Sequence, residues 1–115
     1  MTDCIFCRIA SGDILATIVK RTGEAVAFRD LDPRAPTHVL VIPVKHLRAV
    51  RDADGDEDRE LLGRLLGFTA EVASELGLDD GGYRIVTNTG RDAGQSVDHL
   101  HFHLLGGRRM TWPPG

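Results

Sequence analysis

Three histidines alternate with large apolar residues near the end of the chain, in the segment His99-Leu100-His101-Phe102-His103-Leu104-Leu105. Side chains on a β-strand point alternately to opposite faces, so a strand here would bury the apolar residues and present all three imidazoles on the other face. Alternate residues of a strand lie roughly 6–7 Å apart. The segment therefore predicts a histidine-lined site above a packed core. The alternative, a half-exposed strand that merely happens to carry histidines, is disfavoured by three of them in strict alternation.

The length and composition of the chain indicate one folded domain over residues 1–115. The charged fraction of 27% and the net charge of −3 argue against disorder and against a basic surface for nucleic acid. The longest apolar stretch, residues 39–44, is too short to cross a membrane. No secretory signal is visible at the N-terminus, so we expect a cytoplasmic protein with reduced cysteines.

The hydrophobic pattern predicts five short strands and one long helix. We expect the turn at residues 22–24 to join the first two strands as a hairpin. A short helical turn is also predicted at residues 5–10. The predicted strands are residues 16–20, 25–29, 38–44, 83–88 and 100–105.

The long helix is predicted over residues 56–76, where apolar residues recur at helical spacing and Gly77 ends the pattern. Asp54 and Glu57 resemble a capping box at its start. Gly63 and Gly67 are unfavourable inside a helix by about 0.8–1 kcal/mol each. We therefore expect another backbone, such as a second helix or a symmetry mate, to approach that helix face closely.

Cys4 and Cys7 have the spacing with which two thiolates hold one zinc ion from a tight turn. A redox dithiol would usually follow a strand, and no predicted strand precedes this pair. His46, after the third strand, and His99, at the start of the fifth, are available to complete a Cys₂His₂ site. Two small buried thiols, a surface histidine and no metal form the alternative interpretation.

A zinc site made by the three alternating histidines is a further alternative. Ligands at alternate positions of one strand are nearly collinear, whereas tetrahedral zinc needs converging ligands, so we favour a nucleophilic histidine. A neutral imidazole can attack phosphorus at pH 7 when its neighbours fix its tautomer. The loop at residues 88–96 contains glycines and Ser96 and could cradle a phosphate beside the histidines. Asp30 lies in a predicted turn and is a candidate acceptor for ribose hydroxyls.

The alternating segment matches the motif of the histidine triad (HIT) superfamily, and further segments resemble its Hint branch, the histidine triad nucleotide-binding proteins. The resemblance implies an α+β fold, with a five-stranded antiparallel sheet, one long helix and a short N-terminal helix. It also implies a homodimer and the hydrolysis of purine nucleoside phosphoramidates, such as AMP linked to an amine. The segments that carry the resemblance are Phe28-Arg29-Asp30, Ala35-Pro36-Thr37-His38, Val41-Ile42-Pro43, Asn88, Gly94-Gln95-Ser96-Val97 and Trp112-Pro113-Pro114-Gly115.

Position by position, the resemblance implies that His101 is the nucleophile and that it becomes transiently nucleotidylated. His103 and Ser96 would lie near the leaving amine, which needs a proton, while His38 and His99 complete the histidine cluster. The residues that the resemblance places around the nucleotide are Asp30, Asn88, Gly94, Gln95, Ser96, His101, His103 and Trp112.

The resemblance also implies a structural zinc ion on Cys4, Cys7, His46 and His99, with no divalent metal required for catalysis. Asp98 departs from the family pattern, because Hint proteins often have an aromatic residue there, at the rim of the site. Two alternative functions stay open: a dinucleoside polyphosphate hydrolase of the Fhit type, and a nucleotide-binding or scaffolding dimer with incidental turnover. In each case the expected partner is a purine nucleotide, with neither nucleic acid nor a membrane.

Overall fold

Alternating apolar residues in the central strands divide the core of the molecule into two parts. In the computed structural model, which describes residues 2–115, five antiparallel strands form one sheet in the order β1-β2-β3-β5-β4. No helix in this part of the chain is long and apolar enough to cross a membrane. The strands are β1 (Ile18–Arg21), β2 (Ala25–Arg29), β3 (Thr37–Pro43), β4 (Tyr83–Val86) and β5 (Phe102–Gly106), and the helices are α1 (Ile5–Ser11) and α2 (Gly55–Glu75).

The long helix α2 covers one face of the sheet, where its apolar residues pack against every second residue of the central strands. Leu100, Phe102 and Leu104 belong to this core, so the predicted apolar face of the alternating segment is confirmed. The opposite face carries a smaller core in which Phe6 and Ile9 of α1 pack against Phe28 and neighbouring strand residues. Because α1 has only seven residues, it leaves part of this second face uncovered.

The predicted fold class is confirmed: a five-stranded antiparallel sheet with one long helix and a short N-terminal helix. The hairpin turn at residues 22–24 is also confirmed, since the Thr22 hydroxyl accepts hydrogen bonds from the Glu24 and Ala25 amides. Gly77 adopts φ +75° after the last residue of α2, as expected of a residue that ends a helix.

Several predicted boundaries were wrong. The first strand begins at Ile18, and the fourth ends at Val86. The fifth begins at Phe102, because the chain before it bonds elsewhere: the Leu100 amide donates to the Leu47 carbonyl, and the Thr87 hydroxyl donates to the His101 carbonyl. Of the three alternating histidines, only His103 therefore lies within a strand.

The structure contradicts one of two predictions about α2, the capping box. The Asp54 side chain makes no capping hydrogen bond; instead, the Asp54 amide donates to the Asp58 carboxylate, which also pairs with Lys45. Asp58 lies one turn into the helix, and its carboxylate accepts from the N–H group of the N-cap residue, Asp54. The capping interaction expected of Glu57 is therefore made by the next residue in the chain. Within the described chain, no atom lies within 4 Å of a Cβ added at Gly63 or Gly67, so the expected close approach is not made by another part of this chain, and an approach by a symmetry mate stays a prediction.

Candidate active site

A cavity of about 270 Å³ lies on the face of the sheet that α1 leaves uncovered. We call it the histidine cavity, because His101 and His103 line it. Ser96 and Asp30 lie on its wall with a larger number of apolar side chains, an arrangement typical of small-molecule sites. The apolar lining is formed by Ile5, Phe6, Ile9, Ile14, Leu15, Ala16, Phe28, Leu31, Leu40 and Val97.

The backbone fixes the tautomer of His101. Its Nδ1 lies 2.7 Å from the carbonyl oxygen of His99, and a carbonyl can only accept, so Nδ1 carries the proton and donates it. In the neutral ring, Nε2 is then left with a free lone pair. The imidazole is 4% exposed and packs edge-to-face against Phe6, with ring centroids 5.1 Å apart. His101 is thus a buried imidazole whose orientation is fixed by two contacts.

His38 and His103 form a hydrogen-bonded pair in which the proton of each neutral ring sits on Nε2, whereas the proton of His101 sits on Nδ1. The Arg34 amide donates to Nδ1 of His38 at 3.0 Å, so the proton of a neutral His38 sits on Nε2. This nitrogen lies 2.9 Å from Nδ1 of His103 and 3.3 Å from a carboxylate oxygen of Asp30. When His38 donates to His103, the His103 proton is held on Nε2. His103 then offers an N–H group to the site. The centroid of its ring lies 5.0 Å from that of His101, the ring with the free lone pair.

Burial keeps this histidine pair neutral at pH 7. Loss of hydration and, to a smaller extent, the nearby His101 and His38 together lower the pKa of His103 to about 4, against an opposing effect of Asp30. Burial also lowers the pKa of His38, again opposed by Asp30. The site therefore holds hydrogen-bond donors in fixed positions without a positive charge on these two rings.

Four thiol and imidazole groups meet next to the histidine cavity, and we call them the thiol cluster. The ligand atoms of Cys4, Cys7, His46 and His99 all lie within 4.8 Å of one another. Nε2 of His99 donates to the Pro43 carbonyl at 2.8 Å, so Nδ1 of a neutral His99 has a free lone pair directed at the cluster. The structure thus brings together the four predicted metal ligands.

The spacing of these atoms suits a tetrahedral ion. Zinc bond lengths imply ligand separations of about 3.3 Å between two nitrogens and about 3.5 Å between nitrogen and sulfur. The two Nδ1 atoms of His46 and His99 are 3.1 Å apart, and three of the four nitrogen–sulfur distances in the cluster are 3.2–3.4 Å. Burial raises the pKa of the Cys7 thiol to about 11, with Cys4 adding to the effect, and a bound cation would reverse this preference by stabilising the thiolates.

His99 contributes to both sites through different atoms: its imidazole belongs to the thiol cluster, and its carbonyl accepts the hydrogen bond that Nδ1 of His101 donates. The three alternating imidazoles consequently do not converge on one point, as a zinc site made from them would require. Outside the thiol cluster, Asp30, His38 and His103 are the other group in the described chain with closely spaced metal-ligating atoms. The hydrogen bonds described above account for that group.

The loop before the fifth strand reaches the histidine cavity through Ser96. The Gln95 side chain is engaged in holding this loop, because it donates to the Arg48 and Val97 carbonyls and accepts from the Gly90 amide. Gln95, Gly94 and Asn88 do not line the cavity. Trp112 is 82% exposed and also lies outside it, so the predicted nucleotide contacts of these four residues stay predictions.

A second cleft, of about 390 Å³, lies on the other side of the same loop. We call it the arginine cleft, because Arg48, Arg51 and Arg91 line it. Residues 48 and 51 are far from residue 91 in the sequence, and no local motif indicates that the chain brings them together. The other lining residues are Ala49, Asp52, Gly90, Gln95 and Asp98.

The chain and its structure are similar to known proteins of one family. A model of the HIT domain matches residues 11–110 of the chain. An uncharacterised HIT-like protein of Synechocystis is 48% identical over 113 residues, which are 98% of this chain and 97% of that protein. The structure superimposes on a HIT family hydrolase from Legionella pneumophila with a TM-score of 0.94 at 50% identity, covering 98% of this chain and 100% of that one. The histidine triad nucleotide-binding protein of Candida albicans gives a TM-score of 0.81 at 33% identity, covering 96% and 83%.

Proposed function

This chain belongs to the HIT domain family, and on that premise we propose that it hydrolyses purine nucleoside 5′-phosphoramidates, the P–N linked adducts of a nucleotide and an amine. The observation that carries the proposal is the hydrogen bond from Nδ1 of His101 to the His99 carbonyl, which leaves Nε2 free to act as a nucleophile. The similarity to a HIT family hydrolase supports hydrolysis as the class of reaction.

The covalent step begins when Nε2 of His101 attacks the α-phosphorus. A bond forms between Nε2 and phosphorus, the P–N bond breaks, and the amine leaves with the electron pair. The His99 carbonyl stabilises the positive charge that develops on the His101 ring, because it already accepts the Nδ1 proton. Water then attacks the phosphorus of the nucleotidyl-histidine: an O–P bond forms, the bond between Nε2 and phosphorus breaks with its electron pair returning to Nε2, and the water proton passes to solvent. The nucleoside monophosphate is released and His101 is neutral again.

The amine can leave only if it gains a proton. The low pKa of His103, about 4, makes its ring a donor of a neutral N–H hydrogen bond, suited to a phosphoryl oxygen. We therefore assign protonation of the amine to the Ser96 hydroxyl, which lines the cavity and would relay a proton from solvent. His38 orients His103 through the hydrogen bond between their rings.

The nucleoside would occupy the apolar end of the histidine cavity. Its wall of aliphatic residues with Phe6 and Phe28 suits the flat face of a purine, and Asp30 at its edge offers a carboxylate to the ribose hydroxyls. The Candida albicans relative is named as nucleotide-binding, which supports this assignment. A nucleotide bound in this position would direct its phosphate towards the two histidines that line the cavity.

We further propose that the thiol cluster holds zinc in a structural role. Cys4, Cys7, His46 and His99 would supply all four ligands, and a closed tetrahedral shell leaves no position for water or substrate. The ion would fix the His99 ring and α1 in place. Catalysis would then proceed without a divalent metal in the histidine cavity.

The arginine cleft favours a second candidate function, the hydrolysis of dinucleoside polyphosphates. A departing polyphosphate needs neutralising charge more than a proton, and three arginines line the cleft, which also includes Gln95, the neighbour of Ser96 in the chain. The sequence of the loop at residues 88–96 contains only one basic residue, Arg91. The fold adds Arg48 and Arg51 to the same cleft, which strengthens this alternative.

A paired turnover assay tests the two functions against each other. We expect an adenosine 5′-phosphoramidate to be cleaved with a far higher kcat/KM than diadenosine triphosphate or tetraphosphate, without added Mg²⁺. Intact-protein mass spectrometry after rapid quenching should reveal an adduct of one nucleotide on His101. Faster cleavage of the diadenosine substrates would replace the proposed function with the second candidate. Binding of AMP with no turnover of either substrate would point instead to a nucleotide-binding module.

A further inference from the structure

We propose that the amine released by this protein carries a negative charge, such as a carboxylate or phosphate group, and that Arg51 in the arginine cleft binds it. The inference deepens the proposed function and rests on it, because it assigns the chemical class of the leaving group. The observations that carry it are the continuity of the surface between the two cavities, the position of Arg51 and the charges around it.

The surface runs continuously from the reacting centre to the arginine cleft. Ser96 lines both the histidine cavity and a shallow depression over Cys4 and His46, while Arg48 and Asp98 line both that depression and the arginine cleft. Ser96 and Asp98 are two residues apart, so their Cα atoms are at most about 7 Å apart. A substituent on an amine that leaves beside Ser96 can therefore reach the cleft.

The backbone of the loop at Gly90 lies close to the Arg51 guanidinium. A Cβ added at Gly90 would lie 3.3 Å from Nη1 and 3.5 Å from Nη2 of Arg51, so the absence of a side chain at position 90 allows this close approach. Gly90 also has φ +84°, a conformation that other residues rarely adopt. The Gln95 side chain holds the same loop by donating to the Arg48 carbonyl and accepting from the Gly90 amide. These contacts place the guanidinium at the edge of the cleft.

Arg51 is the arginine of the cleft whose charge is not already paired. Arg48 lies 3.4 Å from Asp98, and Arg91 lies 3.0 Å from Asp92, whereas Arg51 forms no ion pair within residues 2–115. Asp52 also lines the cleft, but within residues 2–115 it forms no ion pair with Arg51, so the Arg51 guanidinium keeps its donors free for another anion. A guanidinium without a partner matches a carboxylate or phosphate, which it can bind through two parallel hydrogen bonds.

The test uses adenosine 5′-phosphoramidates of short ω-amino acids and of the corresponding ω-amino amides, which differ only in the terminal charge. We expect the wild-type protein to favour the acid by about tenfold in kcat/KM, and the preference to shrink as ionic strength rises. Arg51→Gln should reduce the ratio of acid to amide to about one. Arg59→Gln removes one positive charge from an exposed position of α2 outside the cleft and should leave the ratio unchanged.

A binding measurement separates this inference from the proposed reaction. Phosphonate analogues, in which a CH₂ group replaces the P–N nitrogen, are titrated calorimetrically into the wild-type and Arg51→Gln proteins. A preference for the acidic analogue that Arg51→Gln abolishes would support the cleft even if no phosphoramidate were hydrolysed, a result that overturns only the proposed function. Equal affinity for the acidic and neutral analogues, or no binding of either, would overturn the inference. Arg51-dependent cleavage of diadenosine triphosphate in preference to every phosphoramidate would overturn the assignment of an amine.

Discussion

At the scale of single residues, the candidate site depends on which nitrogen of each imidazole carries the proton. His101 and His103 are two positions apart, and the rings have the same chemistry, yet their hydrogen bonds give them opposite polarity. Because Nδ1 of His101 donates to the His99 carbonyl, a lone pair is free on Nε2 of His101. Because the Arg34 amide donates to His38, and His38 donates in turn to Nδ1 of His103, an N–H group is present on Nε2 of His103. A nucleophile and a hydrogen-bond donor therefore face the same cavity.

Replacement of His101 by alanine should lower turnover by several orders of magnitude, because no other free imidazole lone pair is fixed at that point. AMP binding should stay close to that of the wild type, since the apolar wall and Asp30 are unchanged. Steady-state kinetics and calorimetric titration with AMP measure the two effects separately. Turnover near the wild-type rate in this variant would contradict the assignment of the nucleophile.

The neutral state of His103 predicts a loss of stability in acid. An unfolded histidine binds a proton near pH 6.5, whereas the pKa of His103 in the fold is about 4. Between these values the unfolded state binds more protons, so the free energy of unfolding should fall as the pH is lowered from about 6.5 to about 4. Urea denaturation across this range should show a shallower fall for His103→Gln than for the wild type. Equal slopes for the two proteins would contradict the buried neutral histidine.

The sequence indicates which residues could form the site but not how they are connected. Alternation of His101 with apolar neighbours correctly predicts an apolar side facing a core, because that depends only on local periodicity. The tautomers depend on a carbonyl and an amide whose positions are set by tertiary contacts. The meeting of Arg48 and Arg51 with Arg91 depends on the folding of two separate loops, which no periodicity records.

At the scale of elements, hydrogen bonds that involve side chains, more than backbone pairing between strands, hold α1 and the segment before β5 in place. The sequence predicts α1 only weakly, since seven residues provide two turns, whereas α2 is clearly predicted by six turns of amphipathic spacing. Cys4 caps α1 through its sulfur, which accepts from the Cys7 amide. The predicted start of β5 is too early, because the Leu100 amide donates to the Leu47 carbonyl and the His101 carbonyl accepts from the Thr87 hydroxyl.

Cys4→Ser should remove bound metal and lower the melting temperature together, because it replaces a proposed thiolate ligand, while the serine hydroxyl can still accept the Cys7 amide at the start of α1. Elemental analysis of the purified wild-type protein should give about one zinc ion per chain. Ser11→Ala, a change at the exposed end of the same helix, is the matched control and should retain the metal.

Chelation tests the structural role of the ion. A chelator should reduce thermal stability before it reduces turnover, since the proposed ligand shell has no open position. Absence of zinc from carefully prepared wild-type protein would contradict the metal assignment. Turnover that falls in step with removal of the ion would contradict its structural role.

At the scale of the whole molecule, the outer surface of α2 and the end of the chain stay open. Gly63 and Gly67 have no neighbours within the described chain, and Leu66 between them is 47% exposed. The close backbone approach expected at these glycines is absent from the single chain, so we propose that a second copy supplies it. The same proposal accounts for Trp112, which is 82% exposed at the end of the chain.

We expect a homodimer in solution, measured by light scattering at micromolar concentration. Gly63→Leu should weaken the dimer, because a large side chain would keep two helices apart, while the internal packing of each chain is unaffected. Glu57→Leu, at an exposed position in the first turn of α2 and on a different side of the helix from Gly63, is the control. A monomeric wild-type protein at these concentrations would contradict the proposal.

Deletion of residues 111–115 should alter the preference for different leaving amines more than it alters stability. The tail is bound to the rest of the chain mainly at its base, where Arg84 donates to the Thr111 carbonyl. Its two consecutive prolines favour an extended arm that could reach a partner's site. Unchanged kinetics towards every amine in the truncated protein would argue against this role.

The position of Phe6 has a consequence for local unfolding. Its ring packs against the imidazoles of His99 and His101, and it lies in the chain between the two cysteines. A helix of seven residues is too short to persist alone, so its order depends on these contacts. Opening of α1 would thus release the cysteine pair, the aromatic wall and the ring of His101 as one cooperative unit. Amide hydrogen exchange of residues 5–11 reports the stability of that unit directly.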